Sequence, residues 1–125
     1  MLKSSVLGAP SALLFLSFTA LFAIACGEDG EATGSICPPE PTLSYENFGP
    51  AFFATNCTRC HGPNGPESPH FDKLEQIQAN IGEIDKQAAA GPDATNTFMP
   101  EDGSVTDSER RKLGEWLACG APEKL

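Results

Sequence analysis

The sequence predicts an all-α fold, a small bundle of three to four helices, and three observations carry that expectation. Apolar residues recur at spacings of three and four in several windows, as one buried helix face requires. Thr106-Asp107-Ser108-Glu109 forms a capping-box signature directly before the clearest of these windows. No apolar–polar alternation and no two-residue hairpin turn marks a strand.

Tyr45, Phe48, Phe52 and Phe53 share one helical face, but Gly49-Pro50 interrupts them, so the first helix is expected to begin at Pro50, where proline suits a first turn. Leu74, Ile77 and Ile81 predict a second helix over 72–81. A third, shorter one is expected over 84–90, stopped by Gly91-Pro92. The last helix follows Thr106. Leu113, Trp116 and Leu117 form its apolar stripe, Arg110, Arg111 and Lys112 lie mostly on its solvent side, and Gly120 with Pro122 ends it.

The first 25 residues are expected to be a signal peptide. Lys3 is their single charge, and the 14-residue apolar stretch 12–25 is too short to span a bilayer but suits the apolar region of such a leader. Ala25-Cys26-Gly27 resembles a bacterial lipoprotein cleavage site, with lipid on Cys26, although Ala23 stands where leucine is usual. Plain secretion is the alternative. Gly27 in place of Asp resembles lipoproteins sorted to the outer membrane, so the expected location is the periplasmic face of a bacterial membrane, the outer one slightly favoured. Residues 26–42 are read as a lipidated, flexible acidic and Pro-rich tether, because 27–35 holds no large apolar residue and Pro38, Pro39 and Pro41 follow. The folded domain is then 43–125.

Within it, Cys57-Thr58-Arg59-Cys60-His61 is a C-x-x-C-H run, the pattern of covalent c-type haem attachment. Two thiols at this spacing reach the two vinyl groups on one edge of a haem, and the adjacent imidazole can ligate the iron. Zinc would need further ligands at metal-site spacing, and Cys26, Cys37 and Cys119 are distant and single. A thioredoxin-like pair would want a βαβ setting that is missing here. A disulfide in so short a loop would be strained and would leave His61 without a role.

A second axial ligand is sought in Met99, the one methionine beyond the initiator, which lies 38 residues after His61 in a loop of turn formers and beside Pro100. An ordinary gap-filling methionine is the plain alternative. His70 is the competing ligand, but it follows His61 by only nine residues, an awkward span from one face of a macrocycle to the other. With Cys26 given to lipid and Cys57 and Cys60 to haem, two of the five cysteines remain, Cys37 and Cys119, which can pair in an oxidising compartment; two unpaired thiols are the alternative.

In the order of attachment motif, Met99-Pro100 and final amphipathic helix, residues 43–122 resemble a small class I c-type cytochrome. The resemblance implies one covalent haem c in a helical shell, His61 and Met99 as axial ligands, and electron transfer through an exposed haem edge. It also implies a proline carbonyl that orients His61, for which Pro63, Pro66 and Pro69 are candidates, and crossed first and last helices packed through Phe48 or Phe52 on Trp116. An electron carrier without bond chemistry of its own is therefore expected. The alternative is a haem-based small-ligand sensor, or a cytochrome subunit of a larger oxidoreductase, in which Met99 would leave the iron and His70 or Arg59 would supply distal polarity.

Eight Lys and Arg less Lys3, set against 17 Asp and Glu, leave the chain beyond residue 25 at −10. Such a surface repels nucleic acid and anionic lipid, so any membrane attachment is assigned to Cys26. It favours redox partner proteins with basic docking patches, and the chain is expected to be a monomer.

Overall fold

The computed structural model describes residues 30–125. The leader, Cys26 and the start of the expected tether lie outside the described residues. Five helices follow in order: α1 (Gly49–Asn56), α2 (Thr58–His61), α3 (Leu74–Ala79), α4 (Ile81–Ala88) and α5 (Asp107–Ala118). Among the described residues there is no strand, only an isolated antiparallel bridge between Ala90 and Thr95. Four of these helices answer to the four apolar windows. The fifth, α2, is the single turn that carries the Cys-x-x-Cys-His run.

Each helix boundary has a local cause. Pro50 occupies the first turn of α1, where a missing N–H is harmless. At Cys57 the backbone turns away from helical geometry, separating α1 from α2. Asn80 divides the middle of the chain: its side-chain amide donates to the Gln76 carbonyl at 2.7 Å, competing with the main-chain ladder. The second helix therefore ends before Ile81, which opens α4 instead.

α5 is capped at both ends. The Thr106 hydroxyl accepts from the Glu109 N–H while the Glu109 carboxylate accepts from the Thr106 N–H at 2.9 Å. At the other end the Ala121 N–H reaches the Trp116 carbonyl at 3.0 Å and the Gly120 N–H reaches Leu117 at 2.8 Å, the paired bonds of a Schellman ending. Gly120 has φ 81°, a left-handed conformation that glycine adopts without a Cβ clash.

The core is aromatic at one end. Trp116 is fully buried and receives Phe48 edge-on at 5.7 Å between ring centroids and Phe53 at 6.2 Å. Phe52 stacks on Phe48 instead, and Tyr45 stacks on Trp116 from the other side. The C-terminal tail closes this end, because the Tyr45 and Glu46 N–H groups donate to Pro122 and Glu123 at 2.7 and 3.2 Å. Cys37 and Cys119 form a disulfide at the same end of the chain's path, with Cα atoms 4.6 Å apart.

The stretch before that bridge departs from the flexible tether that its composition predicts. Thr33 is fully buried, and its N–H and hydroxyl both donate to the Asp85 carboxylate of α4, at 2.8 and 2.6 Å. The Ser35 hydroxyl donates to the Ala90 carbonyl at 3.3 Å, and the Asn96 side chain donates to Glu31 at 2.7 Å. Residues 31–35 thus form a strap laid across α4 and the loop that follows it. Small polar residues hold it by hydrogen bonds, with no apolar face for a periodicity reading to detect.

A second departure lies in α5. Arg110, expected among the solvent-side cations, is 1% exposed, whereas Arg111 and Lys112 are exposed.

Candidate haem-attachment site

One cavity of about 520 Å³ gathers the residues that the sequence singled out. Its walls include Cys57, Cys60, His61 and Met99, together with Phe53, Phe71, Ile84, Ala88 and Leu113. α1 and α2 bring the two thiols and the imidazole, α4 and α5 bring the aliphatic residues, and the loop between them brings Met99 with Pro100.

His61 is held in a defined orientation. Its Nδ1 lies 2.8 Å from the Pro69 carbonyl oxygen, so the neutral ring donates there and leaves Nε2 as the free nitrogen. The candidate prolines thus reduce to one: Pro69 makes this contact. The backbone reinforces it, since the Phe71 N–H donates to the His61 carbonyl at 2.7 Å and the Phe71 ring lies 5.0 Å from the imidazole. Phe71 escaped the sequence reading because it sits just outside the periodic window that begins at Leu74.

The two cysteines are free thiols and both half-buried. Burial pushes the Cys57 thiol up to about 12, so it remains protonated and neutral within the apolar wall. Net addition of each S–H across a vinyl group makes a thioether, the sulfur bonding one vinyl carbon and the hydrogen the other, with no oxidant consumed. Among the described residues no cluster of His, Cys, Asp and Glu is arranged to hold a metal ion by itself.

Met99 enters from the loop after α4. Its N–H donates to the Gln87 carbonyl at 2.9 Å, its carbonyl accepts from Arg110 Nη1 at 2.7 Å, and the residue is 37% exposed. Phe98 beside it is 40% exposed. His70 lies between Pro69 and Phe71, the two residues bonded to His61, and is not part of the cavity wall. That places it on the His61 side of the fold. Arg59, exposed at the rim, pairs with Asp102 at 3.6 Å and so links the α2 turn to the methionine loop.

The donor set fits a haem. Two thiols, an imidazole with one nitrogen committed to a carbonyl and one free, a thioether and an apolar lining share one space in the range of cofactor pockets. A helical shell with this constellation is a c-type cytochrome. The family comparison reaches the same class: the model for Cytochrome c matches residues 48–119, which is 72 of the 125 positions, and the chain belongs to the cytochrome c family. The family implies covalently bound haem c and electron carriage. No curated protein and no solved structure matches the chain.

Proposed function

We propose that the protein carries single electrons through one haem c bound by thioethers to Cys57 and Cys60, with His61 and Met99 as axial ligands, in the manner of a class I cytochrome. The observation that carries this reading is the single cavity shared by Cys57, Cys60, His61 and Met99. When bound, the haem supplies a reversible one-electron couple. The chain's own residues do the rest. The Pro69 carbonyl fixes the tautomer and ring plane of His61, and this bond also strengthens the imidazole as a donor. Met99 supplies a thioether, which favours a higher potential than a second imidazole would. Phe53, Phe71, Ile84 and Leu113 give the cavity an apolar lining, which would limit solvent access to a bound haem and so tune its potential.

Electron exchange takes place at the cavity mouth. Met99 is partly exposed there, and Glu67, Glu83, Glu101 and Asp102 line it with Arg59 as the one Lys or Arg. This acidic rim supports partners with basic docking patches and association rates that fall with salt. Residues 1–25 as an export signal and Cys26 as a lipid anchor on the periplasmic face complete the proposal. Haem attachment outside the cytoplasm and a Cys37–Cys119 disulfide both suit that compartment.

The test is a reduced-minus-oxidised visible spectrum of protein matured with haem. The expected result is a sharp c-type α band, with a weak far-red band in the ferric protein that Met99→Ala abolishes, and ferrous protein that resists carbon monoxide. Ready uptake of carbon monoxide by the wild type would favour the sensor reading. Absence of haem would sink the proposal.

A further inference from the structure

Arg110 is the one buried cation among the described residues, and nothing in electron transfer itself calls for it. Its Nη1 donates to three carbonyls: Ala88 at 2.7 Å, Asn96 at 2.9 Å and Met99 at 2.7 Å. That nitrogen bears two hydrogens, so the three acceptors share them. Among the described residues no carboxylate pairs with the guanidinium within salt-bridge distance. Asp107 and Glu109, three and one residues before it on α5, favour its charge without forming an ion pair with it.

The three acceptors are not arbitrary. Ala88 is the last residue of α4, whose unsatisfied carbonyls attract a cation. Asn96 and Met99 belong to the loop that carries the thioether. Charge-assisted bonds of this kind are roughly twice as strong as neutral ones, and an apolar side chain would fill the same space without desolvating a charge. Both peptide groups of Met99 are therefore clamped, its N–H by Gln87 of α4 and its carbonyl by Arg110 of α5. The residue's own burial does not position it, because it is 37% exposed.

We propose that Arg110 is a positioning residue: by fixing the Asn96 and Met99 carbonyls against the end of α4, it keeps the Met99 sulfur directed at the haem iron and closes that coordination position to outside ligands. The proposal rests on Met99 being the axial ligand. A neutral residue of similar length at position 110 frees the loop backbone, and Met99 then competes less well with an added ligand.

The experiment is a titration of ferric holoprotein with imidazole, following the far-red methionine band, on the wild type and on Arg110→Met, Arg110→Lys and Thr106→Ala. Arg110→Met is expected to bind imidazole at least about tenfold more tightly than the wild type, since the loop loses its charge-assisted bonds at both Asn96 and Met99 and one such bond alone is worth about that much. Arg110→Lys, which keeps a charge and donors but loses the planar fork, should fall between them. Thr106→Ala destabilises the same helix without removing a bond to Asn96 or Met99 and should bind imidazole like the wild type, which separates positioning from general loss of stability. Should Arg110→Met fail to mature, Arg110→Lys carries the test with an expected gain of about threefold. Wild-type affinity and a full band in the Arg110 variants overturn this assignment alone. A wild-type protein without the band overturns the Met99 reading and the assignment together.

Discussion

Replacing both Cys37 and Cys119 with serine removes a cross-link whose effect can be worked from its position in the chain. The two residues are 82 apart in sequence, so the bridge encloses nearly the whole folded domain. In the chain-entropy account a closed loop of that length restricts the unfolded ensemble by about 4.5 kcal/mol, and a realistic, more compact unfolded state brings this to about 3–4 kcal/mol. The native contacts at that end survive the substitution, since the Tyr45 and Glu46 bonds to Pro122 and Glu123 are backbone bonds. The loss therefore falls on the unfolded side of the equilibrium. For a domain of this size each kcal/mol moves the melting midpoint by about 4–8 °C, so the double variant should melt about 15–30 °C below the wild type. The assay is thermal unfolding of holoprotein followed by far-UV circular dichroism, with visible absorption checked to confirm equal haem content. A midpoint within about 5 °C of the wild type would refute the reasoning, by showing that the ends are held as well without the bridge.

Three further predictions concern α5. Alanine normally stabilises a helix interior over glycine by about 1 kcal/mol. Gly114→Ala should reverse that sign, because a Cβ there would lie 2.5 Å from both the Ala90 carbonyl and the Ser35 hydroxyl. A loss of about 1–3 kcal/mol is expected in a denaturant melt, and a gain would show that the strap yields freely. Thr106→Ala should lower stability by about 1 kcal/mol through loss of the N-cap. Glu109, opposite it, is held below the usual carboxylate range by its bonds to the Thr106 N–H and then the Thr106 hydroxyl. A depressed folded value gives a contribution that is full above the unfolded pKa of about 4.3 and disappears as pH falls through the folded value. The stability gap between wild type and Glu109→Gln should therefore be widest at neutral pH and close in acid. A gap that widens on acidification would contradict this.

What could be read in the sequence was what chemistry or periodicity writes there plainly. The Cys57–His61 run, the lone internal Met99 and the cap at Thr106 needed only spacing and residue type, whereas the packing of Phe48 on Trp116 was implied by the family resemblance. The structure adds what spacing leaves open. Three prolines follow the attachment motif, and only folding brings the Pro69 carbonyl to His61 Nδ1. Arg110 looks like its neighbours Arg111 and Lys112 because solvent exposure along a charged run depends on which loop packs above it, here the one ending at Met99. Thr33 and Ser35 lie in a Gly-rich, acidic stretch that resembles a linker, but their partners Asp85 and Ala90 are more than 50 residues away. Hydrogen bonds across such separations leave no local signature. Asn80 splits the middle helices because a side-chain amide reached its own backbone, an outcome that the apolar pattern at Ile77 and Ile81 does not register.

The Cys37–Cys119 bridge also sets the path that a mechanical load would follow. Tension applied between the N-terminal end and Leu125 passes along the strap to Cys37, crosses the sulfur–sulfur bond to Cys119 and leaves through the last six residues. Residues 38–118, with α1 to α5 and the haem cavity, lie outside that covalent path and are loaded only through the hydrogen bonds that hold the strap and the tail. The strap and the last six residues can peel first, and residues 30–36 span at most about 24 Å when fully extended. A carrier pulled from its two ends would thus pay out a short leash before the helices around the cavity were disturbed.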